Sequence, residues 1–185
     1  MRYAALIFAL MLAACGRPSF HMTDISDAMP RLDFHMTRAS DGAAVSGESY
    51  RGKVVLLYFG YTNCPDVCPA TLANIAGMLA KVRSKDVQIL FVTVDPNRDT
   101  LAALKQYVAA FSPQIEGLRG SDNDLADVAR RYRVAYSVDP GPPYTVMHSN
   151  AVFVFDRDGR IRLVTTDTTD TASMAEDVTR LLRPQ

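Results

Sequence analysis

Tyr58-Phe59-Gly60-Tyr61-Thr62-Asn63-Cys64-Pro65-Asp66-Val67-Cys68-Pro69 leaves an apolar run, crosses a short loop and enters a helical pattern. Two cysteines stand four positions apart, and each is followed by proline. A residue before proline is pushed out of the α region, whereas proline itself is tolerated at the first helical position. The pattern therefore predicts Cys68 as the N-cap and Pro69 as the first helical residue. Both sulfurs then lie near the positive end of a helix, where thiolate is favoured over thiol. Thiolate is the form that attacks disulfides and binds soft metals. The same pair also reads as a static disulfide or as two buried thiols. The helix-terminal electrostatics favour the reactive reading.

The flanks give the fold. Val54 to Phe59 is a short apolar run, read as a strand buried on both faces. After Pro69, apolar residues recur at Leu72, Ile75, Leu79 and Val82, a helical stripe. Val87 to Val94 is a second β-rich run, so the order predicts a parallel βαβ unit. Asp99 or Thr100 caps a second helix with Leu101, Leu104, Val108 and Phe111 inward, stopped by Pro113. Ser121 and Asp124 form a capping-box pattern for a third helix carrying Leu125, Val128 and Tyr132. Ala151–Phe155 and Ile161–Val164 flank Asp158-Gly159, a hairpin signal, and Met174, Val178 and Leu181 mark a last helix. Leu32–Met36 and Ala43–Val45 suggest a short N-terminal β-hairpin ahead of these. The whole is an α/β, thioredoxin-like order. No glycine-rich phosphate-binding motif follows any strand.

The first residues read differently. Arg2 precedes an apolar run from Ala4 to Ala13, then Leu12-Ala13-Ala14-Cys15. This pattern is that of a signal peptide over residues 1–14. It is shorter than the roughly 20 residues of a membrane-spanning helix. The Leu-Ala-Ala-Cys string resembles a bacterial lipoprotein cleavage box, with Cys15 the lipidated first residue; an uncleaved N-terminal anchor is the alternative. Either reading exports the domain and tethers it to a membrane facing the periplasm or the cell exterior. Residues 15–31 are polar and weakly patterned, so they read as the tether, and 32–185 as one domain. Setting Cys15 aside leaves one cysteine pair, too few for a four-cysteine zinc site. Basic and acidic residues balance at 20 each, which gives no footprint for nucleic acid.

His148 lies in Tyr144-Thr145-Val146-Met147-His148-Ser149-Asn150, read as a loop before the last hairpin. In a thioredoxin-like fold this loop packs against the cysteine loop. Two thiolates and one imidazole make a soft, low-coordinate set suited to copper, or to zinc with an open position. A lone histidine capping a loop is the plainer reading. Asp66, Asp95, Arg98 and Asp99 read as turn, strand-exit and helix-start residues without a catalytic role.

The stretch from Gly52 through Pro69 closely resembles the Sco/SenC copper-protein family. So do Val94–Thr100, Gly117–Gly120 and Tyr144–Ser149, in the same order, so that the likeness runs from about Asp33 to Gln185. The resemblance implies one copper ion held by Cys64, Cys68 and His148. It further implies a chaperone rather than an enzyme, delivering copper to the copper A site of cytochrome c oxidase. An upstream copper donor and a thiol reductant are the partners such a role implies. Members often carry Asp just before the histidine, where this chain has Met147. That removes an acidic partner for His148 and puts a thioether or a plain apolar residue in its place. Two other functions use the same cysteines: a thiol-disulfide oxidoreductase and a redox or copper sensor.

Overall fold

The computed structural model describes residues 19–183; the stretch 1–14 read as a signal peptide, and Cys15, lie outside them. The chain runs β1 (Thr23–Asp24), β2 (His35–Arg38), β3 (Ala44–Ser46), a 3-10 turn (Gly47–Tyr50), β4 (Val54–Gly60) and α1 (Val67–Val82). It continues with β5 (Val87–Thr93), α2 (Leu101–Ala109), β6 (Ile115–Arg119), α3 (Asp122–Arg131), β7 (Tyr136–Asp139) and β8 (Thr145–His148). β9 (Val152–Phe155), β10 (Ile161–Thr165) and α4 (Thr171–Leu182) complete it. The main sheet has the order β1-β10-β9-β4-β5-β6-β2-β3, and β7 and β8 form a separate ribbon.

Alternation along β4 divides the core in two, because successive side chains leave opposite faces of a strand. Val54, Leu56 and Tyr58 join Leu72, Ile75 and Met78 of α1, Leu104 of α2 and Val178 of α4. Val55, Leu57 and Phe59 join Leu125 and Val128 of α3, with Tyr132 just beyond it. β4 and β5 are buried throughout. A parallel pair covered by helices on both faces has this continuous apolar character. Each fully buried aliphatic or aromatic side chain contributes about 1.5–3 kcal/mol, which fixes the strand as the spine of the molecule.

β4 and β5 pair in parallel from Val54↔Val87 to Gly60↔Thr93, as the βαβ reading requires. The hairpin around Asp158-Gly159 is present, with Gly159 at φ +68°, and β9 and β10 pair antiparallel. The N-terminal hairpin is present as β2 and β3, its first strand starting three residues beyond the expected Leu32. Thr100, not Asp99, caps α2, accepting from the Ala103 N–H. Ser121 and Asp124 cap α3 reciprocally.

Three expectations change. The tether reading fails for the part described. Phe20 packs on the core, Met22 is buried and β1 adds to β10. The Asp177 carboxylate accepts the backbone N–H groups of His21 and Met22, each at 2.8 Å. Two apolar side chains inside a polar stretch are enough to dock it once a buried acceptor meets its backbone. Secondly, the expected loop 144–150 is largely strand. Tyr136↔His148 to Asp139↔Thr145 form an antiparallel ribbon. Thirdly, α1 begins at Val67 with Asp66 at the N-cap, so Cys68 lies within its first turn. The chain tolerates Pro69 there because the first-turn N–H groups have no intrahelical partner.

Candidate metal centre

The site lies at the C-terminal end of β4, where a parallel sheet leaves its crevice. β9 runs antiparallel to β4 with Tyr58 opposite Val152. The residues that precede Val152 therefore lie alongside those that follow Tyr58. This pairing brings His148 to the cysteine loop although 80 positions separate it from Cys68.

Cys64, Cys68 and His148 offer ligand atoms that all lie within 4.8 Å of one another. His148 Nε2 is 3.4 Å from Cys68 Sγ. Its Nδ1 faces the Ser149 carbonyl at 2.9 Å. A carbonyl only accepts, so Nδ1 carries the hydrogen and Nε2 presents its lone pair to the sulfurs. That backbone carbonyl orients the ring, the task left open by Met147 in place of an acidic neighbour. Met147 itself is 71% exposed and alternates with His148 along β8, so its thioether points away from the cluster. The rings of Tyr61 and Tyr58 meet His148 edge-on at 5.9 and 6.3 Å.

The cysteines are not equivalent. The Cys68 N–H donates to Cys64 Sγ at 3.4 Å. Asp66 makes no side-chain cap, so the Cys64 sulfur satisfies a first-turn donor of α1. Burial opposes ionisation of Cys64. Hydrogen bonds from the Cys68 backbone and thiol, then from Asp66 and Tyr61, outweigh it and bring the thiol below its ordinary value. Cys68 is fully buried beneath Gly60, where a Cβ would stand 2.6 Å from the Phe91 ring and 3.0 Å from the Cys68 sulfur. That burial pushes the Cys68 thiol up to about 12. The expectation that both sulfurs favour thiolate therefore holds for Cys64 and fails for Cys68, since desolvation overrides proximity to the helix end. Iodoacetamide should accordingly modify Cys64 well before Cys68. The Cys64 rate should climb with pH through a midpoint below that of an unperturbed thiol. Mass spectrometry of partly labelled protein checks this, and equal labelling of the two sulfurs would contradict it.

The donor set fits a soft ion. Ligand distances of about 2.0–2.3 Å to nitrogen and sulfur require donors about this far apart. Both cysteines are free, and the third donor has a satisfied outer nitrogen. His21 instead meets Glu176 at 3.1 Å, away from the cluster.

The sequence reading missed the polar frame. Asp99 is wholly buried and accepts the Thr62 N–H at 3.0 Å, the Thr62 hydroxyl at 2.6 Å and the Thr93 hydroxyl at 2.6 Å. It anchors the loop that carries Cys64. The ribbon was also missed, although alternating runs at 136–139 and 145–148 flank Pro140-Gly141-Pro142-Pro143, a hairpin signal.

Fold and cluster together define a class: a thioredoxin-fold protein whose CxxxC pair and a distant histidine converge at the end of the central sheet. The SCO1/SenC family profile matches residues 26–183. The mitochondrial SCO2 homolog of Bos taurus is 42% identical over 182 residues, covering 95% of this chain and 61% of its own length. An SCO2-like protein of Rickettsia conorii is 33% identical over 164 residues, 84% of this chain and 80% of that one. The structure of Bradyrhizobium japonicum ScoI with copper bound is 35% identical with a TM-score of 0.73, covering 82% of this chain and 98% of that one. This chain belongs to the SCO1/SenC family. It spans 54–61% of the length of the mammalian SCO2 homologs it matches. Among the described residues, no helix is long and apolar enough to cross a membrane.

Proposed function

We propose that this protein is a membrane-tethered copper chaperone. It holds one ion between Cys64, Cys68 and His148 and passes it to the copper A site of cytochrome c oxidase during assembly. The observation that carries this reading is the convergence of three soft or borderline donors within 4.8 Å. The copper-bound Bradyrhizobium relative supports the choice of metal. Two thiolates suit Cu(I), and the added imidazole extends the site to Cu(II). Cys64, in the loop before α1, and Cys68, in its first turn, are four positions apart and stay close together. His148 arrives from a separate ribbon and is the donor most readily exchanged for one on an acceptor. Residues 1–14 as signal peptide and Cys15 as lipid anchor would place this exchange at a membrane surface facing the periplasm or cell exterior.

A second reading uses the cysteines alone. The half-exposed Cys64, with its lowered thiol pKa, is the sulfur placed to attack a partner disulfide. Cys68 then resolves the mixed disulfide. Two electrons and two protons pass to the partner, which leaves as a dithiol. That reaction has no need of His148.

Titration of the reduced protein with Cu(I) and with Cu(II) separates the two. The expected result is one ion per chain. His148→Ala should weaken Cu(II) by at least roughly 100-fold, since even outer partners of a ligand are worth 10–100-fold. Cu(I) should be affected less, and the thiolate-to-copper absorption band should change. Wild-type affinity and spectrum in His148→Ala would remove it as a ligand and leave the oxidoreductase reading in front.

A further inference from the structure

The strands β7 and β8 pair with each other and with no strand of the main sheet. An isolated two-stranded ribbon is marginal in water. His148 therefore sits on an element with no strand partner in the main sheet: Tyr136 and Val146 pack the ribbon against the core, and polar side chains hold its near end. Tyr144, immediately before β8, donates its hydroxyl to Asp95 Oδ1 at 2.7 Å. Arg98 donates from Nε to the other oxygen of the same carboxylate. Its guanidinium lies over the Tyr144 ring, 3.7 Å from the centroid, and 6.0 Å from the Tyr61 ring. Tyr61 in turn meets the His148 ring edge-on.

Asp95 is wholly buried, and a buried carboxylate is tolerated only when its oxygens are paired. One of its two side-chain partners comes from the ribbon. Swinging the ribbon away would strip Tyr144 from Asp95 and separate the Arg98–Tyr144 stack in the same movement. The connection 94–100 also carries Asp99, which holds Thr62 of the cysteine loop. One connection thus fixes the cysteine loop at its far end and the histidine ribbon at its near end.

Building on the reading of Cys64, Cys68 and His148 as one metal site, we propose that Asp95, Arg98 and Tyr144 form a clamp that positions His148. Closed, the clamp holds Nε2 against the sulfurs. Released, it lets the ribbon carry His148 off while the cysteine pair keeps its grip. All three act through His148 and are positioning residues; none touches the cluster sulfurs.

Tyr144→Phe is the sharpest probe, because it deletes the hydroxyl and keeps the ring under Arg98. It should weaken Cu(II) binding by roughly 10-fold or more, the scale of one hydrogen bond to a charged group. Cu(I) held by the dithiol should change little. Added to His148→Ala, it should cause no further loss, since the two act on one interaction. A metal-free readout stands beside this: iodoacetamide labelling of Cys68 should quicken in Tyr144→Phe, while labelling of Cys64 stays as in the wild type. Arg98→Lys, which keeps the charge but loses the planar stack, should shift both readouts the same way. Additive losses in the double variant would overturn the clamp, as would wild-type Cu(II) binding and Cys68 labelling in Tyr144→Phe. If His148→Ala itself leaves copper binding untouched, the metal-site reading fails instead, and the labelling arm alone decides whether the clamp holds the ribbon.

Discussion

Alanine at Cys64 or at Cys68 should abolish stable binding of both Cu(I) and Cu(II), the largest functional effect expected of any single change. Either substitution leaves one thiolate and one imidazole, and a soft ion is then short of its principal donors. The two variants should still differ in stability. The Cys64 sulfur accepts the Cys68 N–H at the start of α1, where Asp66 supplies no cap. Losing that acceptor costs about 1 kcal/mol, the usual effect of removing a cap. Serine at position 64 separates the roles. Its hydroxyl is a good helix cap, but it is a hard donor for copper. Cys64→Ser should therefore recover the stability and not the metal. The copper-to-protein ratio after desalting measures the first quantity, and urea unfolding the second. Stoichiometric copper retained by either alanine variant would take that cysteine out of the site.

What could be read from the chain depended on how local the cause was. The run Val54–Phe59, the stripe Leu72–Ile75–Leu79 and the Asp158-Gly159 turn carry their structure in residues close in sequence, and each element formed, α1 starting two residues before the expected Pro69. The cysteine pair beside a helix start was legible for the same reason, since proline and spacing are local, although the start itself fell two residues earlier than expected. His148 was not placed by any local pattern. Its approach depends on β9 pairing antiparallel with β4, a contact between distant segments. Family likeness pointed to it, and the Tyr58↔Val152 register gives the physical reason. Burial was the other blind spot. Helix-end electrostatics argued for two thiolates, but the depth of Cys68 under Gly60 reverses the result for that sulfur. Asp95 and Asp99 looked like ordinary turn and cap residues because their buried surroundings come from Thr62, Thr93 and Tyr144, on other segments.

Asp99→Ala should be the most damaging of the polar substitutions around the site. Three donors converge on this carboxylate: the N–H and hydroxyl of Thr62 and the hydroxyl of Thr93. Alanine leaves all three facing a gap. A buried donor without a partner costs about 1–3 kcal/mol. Against that stands a relief, because the buried charge of Asp99 no longer has to be desolvated. The hydroxyls can also turn toward each other or toward an entering water, which recovers part of the loss. The balance is a destabilisation of about 2–4 kcal/mol, a large share of the roughly 5–15 kcal/mol that holds a domain together. Asn at the same position keeps the shape and one acceptor oxygen, so its cost should be about half that or less. The effect should reach the metal as well. Thr62 stands two residues before Cys64, and its release frees the loop that sets the distance between the sulfurs. Copper affinity of the folded fraction should fall about tenfold, the result of about 1.4 kcal/mol of lost preorganisation. Urea unfolding of the reduced protein measures the first effect and competition with a chromophoric chelator the second. Lower stability with unchanged copper affinity would confine Asp99 to holding the fold. A loss under about 1 kcal/mol would mean that the three donors find other partners and that Asp99 is not the anchor of the cysteine loop.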